Sequence, residues 1–268
     1  MSDYQNSELW VGGKLYDTRE MLKINDNYKL EVIEIDSQKI VVIDDFYSNP
    51  DILREVALNS TATRLVNCRY PGYRTLVPLG WNDRDEIYKL TIKNIMKKVW
   101  DIKIDTIDFE RNSLCFNLQK AYKVWPNVLK KGDIHPESRP HVDRKKYNSL
   151  VYLNKDNEWS GVNGTGIYRH KETGLISSES IPYKNLNKMW DENRLQPITK
   201  WMSDTDETWK LEHLVEMKYN RLTIYDGYLF HAAYMNSTDF VDVPRIVQPN
   251  FIKFKGNRYV CDRCRDKL

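Results

Sequence analysis

No stretch of the chain approaches the roughly 20 consecutive apolar residues that a bilayer-spanning helix needs. The opening MSDYQNSELWVGGK has neither a basic segment nor an apolar core, so it does not read as a secretory signal. The expected location is therefore cytoplasmic, with no membrane partner. Charge of one sign is missing too: 41 Lys and Arg against 38 Asp and Glu leave +3, the basic residues being scattered among acids. That balance gives no strong nucleic-acid signal. Cysteine is scarce. Four residues, Cys68, Cys115, Cys261 and Cys264, are too few and too unevenly placed for a disulfide framework. Internal repeats and low-complexity tracts are absent as well. What the chain does have is aromatic residues, with 8 Trp and 17 Tyr among 268 positions, which call for a large core or a recognition surface.

Residues 1–39 mix polar and apolar positions without a clear period and read as short strands or an N-terminal arm. Ile40-Val41-Val42-Ile43 is a compact β-branched run closed by Asp44-Asp45, the signature of a buried strand. Ser48-Asn49-Pro50-Asp51 is a helix start, with a capping side chain and then proline at the first helical position. A second helix is predicted from Asp83 to about Lys98. From about residue 108 short β-like runs dominate: Ser113–Leu118, Asn148–Leu153, Gly166–Tyr168, Arg221–Tyr225 and Arg245–Phe254. Short strands without long helices between them suggest a sandwich or barrel. The fold class is thus α+β, helices first. Residues 176–215, with Trp190, Trp201 and Trp209 among polar neighbours, read as an insertion or lid, and 255–268 as a C-terminal tail.

The chemistry centres on histidine. His141-Val142-Asp143 places an imidazole and a carboxylate two residues apart, hence on one face of an extended segment. Downstream comes Tyr147–Asn154, a strand ending in Tyr152-Leu153-Asn154, and then a glycine turn into Gly164-Thr165-Gly166. Leu222–Tyr225 is a further strand, followed by a turn and His231. Arg245 stands fourteen residues later (245 − 231 = 14) and opens the last strand. Two imidazoles and one carboxylate on one face of a metal leave three positions open, as in non-haem Fe(II) oxygenases. A 2-oxo acid can fill two of these and leave one for dioxygen. Its far carboxylate needs a fixed cation, which the planar fork of arginine suits, with a tyrosine hydroxyl as second donor.

In this ordered set the chain resembles the Fe(II)/2-oxoglutarate-dependent oxygenases, most closely the prolyl-4-hydroxylase-like branch. The resemblance covers roughly residues 40–254, starting with Ile43-Asp44-Asp45-Phe46 ahead of a helix. It implies a double-stranded β-helix (jelly-roll, cupin-like) core with N-terminal helices packed on it. It also implies His141, Asp143 and His231 as catalytic metal ligands, and Arg245 and Tyr152 as cofactor-binding residues. The cofactors so implied are Fe(II), 2-oxoglutarate as co-substrate, and dioxygen. The expected activity is hydroxylation of a small-molecule or peptidyl substrate, with a homo-oligomer compatible with the sequence. The rival reading is a non-catalytic jelly-roll binding or assembly module.

Taken singly, each residue has a plainer reading: a turn histidine, a capping aspartate, a surface arginine, a core tyrosine. His135 reads as a loop residue, and His170, between Arg169 and Lys171, as part of a solvated edge. Cys261 and Cys264 form a terminal Cys-x-x-Cys with no second pair to complete a structural zinc site, and read as free thiols. The tryptophans of 176–215 read mainly as anchors, and Asn127–Lys131 with Arg144–Lys146 as a modest basic surface.

Overall fold

The computed structural model describes residues 8–63, 72–77, 79, 86–109, 114–120, 139–143, 147–179, 204–236 and 238–255. In chain order the elements are β1 (Glu8–Val11), β2 (Lys14–Asp17), α1 (Thr18–Met21), β3 (Lys29–Ile35), β4 (Gln38–Asp44), α2 (Pro50–Asn59), β5 (Ala62–Thr63), β6 (Tyr73–Val77) and α3 (Glu86–Trp100). There follow β7 (Ile107–Phe109), β8 (Leu114–Gln119), β9 (Tyr147–Tyr152), β10 (Gly164–His170), β11 (Trp209–Glu216), β12 (Leu222–Asp226), β13 (His231–Tyr234) and β14 (Arg245–Phe254). No described helix is long and apolar enough to cross a membrane.

The Ile40–Ile43 run is apolar at every position because β4 is covered on both faces. Val41 and Ile43 join a core cluster with Leu53 and Val56 of α2 and Ile92 and Met96 of α3. Ile40 and Val42 join a different cluster with Ile167 of β10 and Val215 of β11. All four residues are at most 5% exposed, and each such side chain contributes roughly 1.5–3 kcal/mol by leaving water. The strand thus lies between a helical layer and a second sheet. The larger, nine-stranded sheet runs β3-β4-β12-β9-β14-β8-β6-β5, with β7 also paired to β14. The smaller runs β11-β10-β13, and all the pairings are antiparallel. The result is mostly antiparallel β-structure with few helices, consistent with a sandwich of jelly-roll type.

Alternation along the central strands decides which side chains reach the space between the sheets. On β14, Ile246 and Ile252 belong to the helix-side cluster, whereas Val247 packs with Tyr152 of β9 on the opposite side. Arg245, in phase with Val247, therefore faces the sandwich interior. On β12, Leu222 and Ile224 face the helices and Tyr225 faces inward.

Several boundaries differ from those expected. Of the two readings for residues 1–39, short strands describe residues 8–35: β3 is an edge strand of the large sheet, and Leu9, Tyr16 and Met21 enter the main core. The last part of 176–215 is β11, paired along its length with β10, while 180–203 lie outside the described residues. Pro50 does occupy the first turn of α2, but the cap is Asn49 and it makes no side-chain capping bond. Ser48 instead donates its hydroxyl to the Ile24 carbonyl at 3.0 Å.

Candidate metal centre

Two strands bring the histidines together. His141 and His231 form a single antiparallel bridge, exchanging backbone hydrogen bonds of 2.9 and 3.0 Å. Directly opposed residues of this kind hold their side chains side by side, and the ring centroids lie 4.5 Å apart. Asp143 follows two positions later on the same face, its backbone N–H donating to the Gly227 carbonyl at 2.9 Å. Its carboxylate lies 3.8 Å from His141 Nε2 and 3.2 Å from His231 Nε2. One ligand atom from each of the three residues falls within 4.8 Å of the others.

The second ring nitrogens fix the tautomers. His141 Nδ1 lies 2.9 Å from the Arg139 carbonyl, and His231 Nδ1 lies 2.9 Å from the Leu229 carbonyl. A carbonyl only accepts, so each Nδ1 carries the proton and each Nε2 turns a lone pair toward Asp143. Burial, reinforced by the neighbouring His231, lowers the His141 pKa to about 4 against the opposing pull of Asp143 and the Arg139 carbonyl. The imidazole is then neutral at pH 7, the form that binds a cation. Asn148 Nδ2 donates to Asp143 Oδ2 and orients the carboxylate. Neutral imidazole lone pairs and an oriented carboxylate aimed at one point fit a divalent metal.

Arg245 lies deeper in the same interior and is 3% exposed. Its Nη1 donates to Gln119 Oε1 at 2.5 Å and its Nη2 to the Gly164 carbonyl at 3.0 Å. Its Nε is buried with no partner, and no carboxylate pairs with it among the described residues. The Tyr152 ring lies beneath the guanidinium, 5.3 Å from Cζ, and the Tyr152 hydroxyl shares a 2.6 Å hydrogen bond with Thr165 Oγ1. Asn220 holds this end of β9 in place: its N–H donates to the Tyr152 carbonyl at 2.9 Å, while its side chain brackets the Tyr47 backbone.

Tyr225 lies beside the histidine pair. It is 2% exposed and meets His231 edge to face, with centroids 4.9 Å apart. Burial foremost, then Asp143 and Tyr152, push its hydroxyl well above the usual phenol range, while Asn148 and Arg245 act in the opposite sense. Burial also raises Tyr152, with Arg245 opposing. Both phenols are therefore neutral donors at ordinary pH.

The structure thus brings His141, Asp143 and His231 to one point and Arg245 and Tyr152 to another within the same interior. Sequence reasoning singled out none of Asn148, Tyr225 and Gln119. The signal for Asn148 was its phase, since it alternates with Leu150 and Tyr152 on one face of β9. Gly164 does mark a strand start. A Cβ there would meet the Val215 carbonyl oxygen at 2.1 Å, so only glycine lets β10 approach β11 this closely.

His170 is not on a solvated edge: it is 3% exposed, with its ring 5.0 Å from that of Trp209. Trp209 anchors this outer face, packed with Tyr168, Phe230 and Val142. Cys115 is buried. His135, Trp190, Trp201, Cys68, Cys261, Cys264 and the basic residues 127–131 and 144–146 lie outside the described residues.

No curated protein matches the sequence. Among solved structures, the chain is similar to HygX from Streptomyces hygroscopicus, crystallised with nickel, 2-oxoglutarate and hygromycin B bound. The TM-score is 0.40 and the identity 11%, over 81% of this chain and 84% of that one. A family model described as "Family of unknown function (DUF6445)" matches residues 25–245, most of the chain, and the protein belongs to that family.

Proposed function

We propose that the protein is an Fe(II)- and 2-oxoglutarate-dependent dioxygenase, a hydroxylase on a double-stranded β-helix of the prolyl-4-hydroxylase-like type. One observation carries the reading. A His/Asp/His cluster lies beside Tyr225, and a buried arginine with no carboxylate partner among the described residues lies against Tyr152, both on inward-facing positions of the sandwich. An isolated buried charge costs several kcal/mol, so an anion that enters and pairs with Arg245 gains strongly from doing so.

In this mechanism His141 Nε2, His231 Nε2 and one Asp143 oxygen hold the metal. The backbone carbonyls of Arg139 and Leu229 fix the imidazole tautomers and Asn148 fixes the carboxylate. Bound in such a three-ligand site, Fe(II) would supply oxidative decarboxylation of a 2-oxo acid coupled to hydroxylation of a substrate C–H bond. Arg245 binds the distal carboxylate of 2-oxoglutarate through its free Nε edge, which sets the reach of the acid toward the metal. Tyr152, turning its hydroxyl from Thr165, adds a second donor. The apolar wall of Val247, Met217, Met235 and Phe240 excludes water from that end. The substrate is a small molecule or a peptidyl side chain.

The deciding experiment is anaerobic addition of Fe(II) and then 2-oxoglutarate. A weak visible charge-transfer band that is lost in His141→Ala supports the reading, as does succinate formation under air. A folded protein that takes up divalent metal but gives neither band nor succinate leaves a binding module on the same scaffold.

A further inference from the structure

Position 119 lies directly across the β8–β14 ladder from Arg245, so the two side chains are cross-strand neighbours on one face. Gln119 is 4% exposed and Arg245 is 3% exposed. Their 2.5 Å hydrogen bond uses the amide oxygen, because a guanidinium has no acceptor to offer an N–H. The second contact of the fork, to the Gly164 carbonyl, is also neutral. A buried arginine is ordinarily met by a carboxylate in a bidentate pair. Glutamate has the shape of glutamine and would make that pair at this position. The chain instead holds the cation with two dipoles, leaving it with no carboxylate, and its Nε with no partner, among the described residues.

We infer that Gln119 is the specificity-determining residue for the acid end of the co-substrate: it orients Arg245 without neutralising it, so the site selects a dicarboxylate over its amide. This rests on the dioxygenase reading above. Gln119 itself is a positioning residue, since it acts through the guanidinium. A carboxylate at 119 would occupy Arg245 in the free protein and would repel an incoming carboxylate.

The test is calorimetric titration of the full chain, loaded with Mn(II), using two probes: 2-oxoglutarate and 2-oxoglutaramate, in which the distal carboxylate is a carboxamide. The wild type is expected to prefer the dicarboxylate by at least about tenfold, as expected for a charged group aimed at a buried cation. Glu in place of Gln (Q119E) is expected to weaken 2-oxoglutarate by at least about thirtyfold and to reverse the preference, because like charges brought together cost several kcal/mol. Its Mn(II) affinity stays at the wild-type value. Gln119→Met keeps the volume but not the dipole. It is expected to weaken 2-oxoglutarate only about three- to tenfold with the dicarboxylate preference intact, the loss of one hydrogen bond.

Binding of 2-oxoglutarate by Q119E within threefold of wild type overturns the inference. So does an equal loss of both probes in both variants, which is what a purely structural glutamine would give. Should Q119E not fold, 2-oxoglutarate binding by Gln119→Met at the wild-type affinity overturns it on that variant alone. A wild type that binds Mn(II) and neither probe removes the dioxygenase reading itself, whereas a wild type that binds normally beside an unaltered Q119E removes only the role of Gln119.

Discussion

Replacing Arg245 by methionine separates what this residue does for the fold from what it does for a ligand. In the free protein the guanidinium makes two hydrogen bonds, to Gln119 Oε1 and the Gly164 carbonyl. With a charged donor these are worth roughly 1.5–3 kcal/mol each. Against them stands the burial of a charge with no counter-ion among the described residues, whose effective penalty is itself several kcal/mol. Methionine fills similar space and is flexible enough to lie on the Tyr152 ring. The opposing contributions leave Arg245→Met within about 2 kcal/mol of wild type. In a chain of this size that is a shift in melting temperature of no more than about 8 °C in either direction. Ligand binding has no such compensation, because a 2-oxo diacid would meet an apolar wall where it needs a cation. The Mn(II)-loaded wild type should gain stability on adding 2-oxoglutarate, and the variant should gain none at the same concentration. Differential scanning calorimetry with and without the acid reads both quantities. A variant that melts far below wild type in the free state would show Arg245 to be a structural cation. A variant that keeps the 2-oxoglutarate stabilisation would remove Arg245 from the site altogether.

Asn148→Ala removes the donor to Asp143 Oδ2; Mn(II) affinity, measured by electron paramagnetic resonance of the free ion, should fall about 10–100-fold, and an unchanged affinity would show the carboxylate to be held by other means. Gly164→Ala places a methyl group against the Val215 carbonyl and should displace the carbonyl that holds Arg245; 2-oxoglutarate binding should drop while Mn(II) binding stays, and loss of both or of neither refutes this. Asp44 is held below the usual carboxylate range first by its hydrogen bond to Arg221 and then by Lys218. A depressed folded-state pKa contributes stability above the unfolded value of 3.8, and that contribution fades as pH falls through the lower folded value. Asp44→Asn should therefore lower stability at pH 7 and flatten the acid limb below about pH 4; parallel urea-unfolding curves for the two proteins across that range would contradict the assignment.

The grouping of His141 with Asp143 was legible because its spacing is local where the structure is local. His141 and Asp143 share a face by period 2 alone, and β14 begins at Arg245 and ends at Phe254, where its apolar run does. The neighbours of these side chains were hidden because they are defined across strands. Gln119 becomes meaningful only when β8 registers against Arg245, and Tyr225 only when β12 brings its ring beside His231. Strand β11 escaped notice because the polar residues of Trp209–Glu216 fall at 210, 212, 213 and 216, breaking the alternation at His213, so a stretch that pairs with β10 as a strand was read as part of an insertion. His170 shows the same error at one residue. Charged neighbours on both sides were taken as solvent exposure, yet adjacent strand residues point to opposite faces, and the outer face that His170 shares with Tyr168 is covered by Trp209. Arg169 indeed points away, to Asp36 and Glu212.

The bridge between His141 and His231 joins residues ninety positions apart (231 − 141 = 90) and consists of two backbone hydrogen bonds. An ion grasped by both imidazoles would act there as a reversible cross-link, closing a loop of that length. By the chain-entropy reckoning applied to disulfides, such a closure restricts the unfolded ensemble by roughly 4–5 kcal/mol. Chelation would then loosen the architecture as well as empty the centre, and slow amide exchange at His141 and His231 would serve as a gauge of occupancy without any turnover assay.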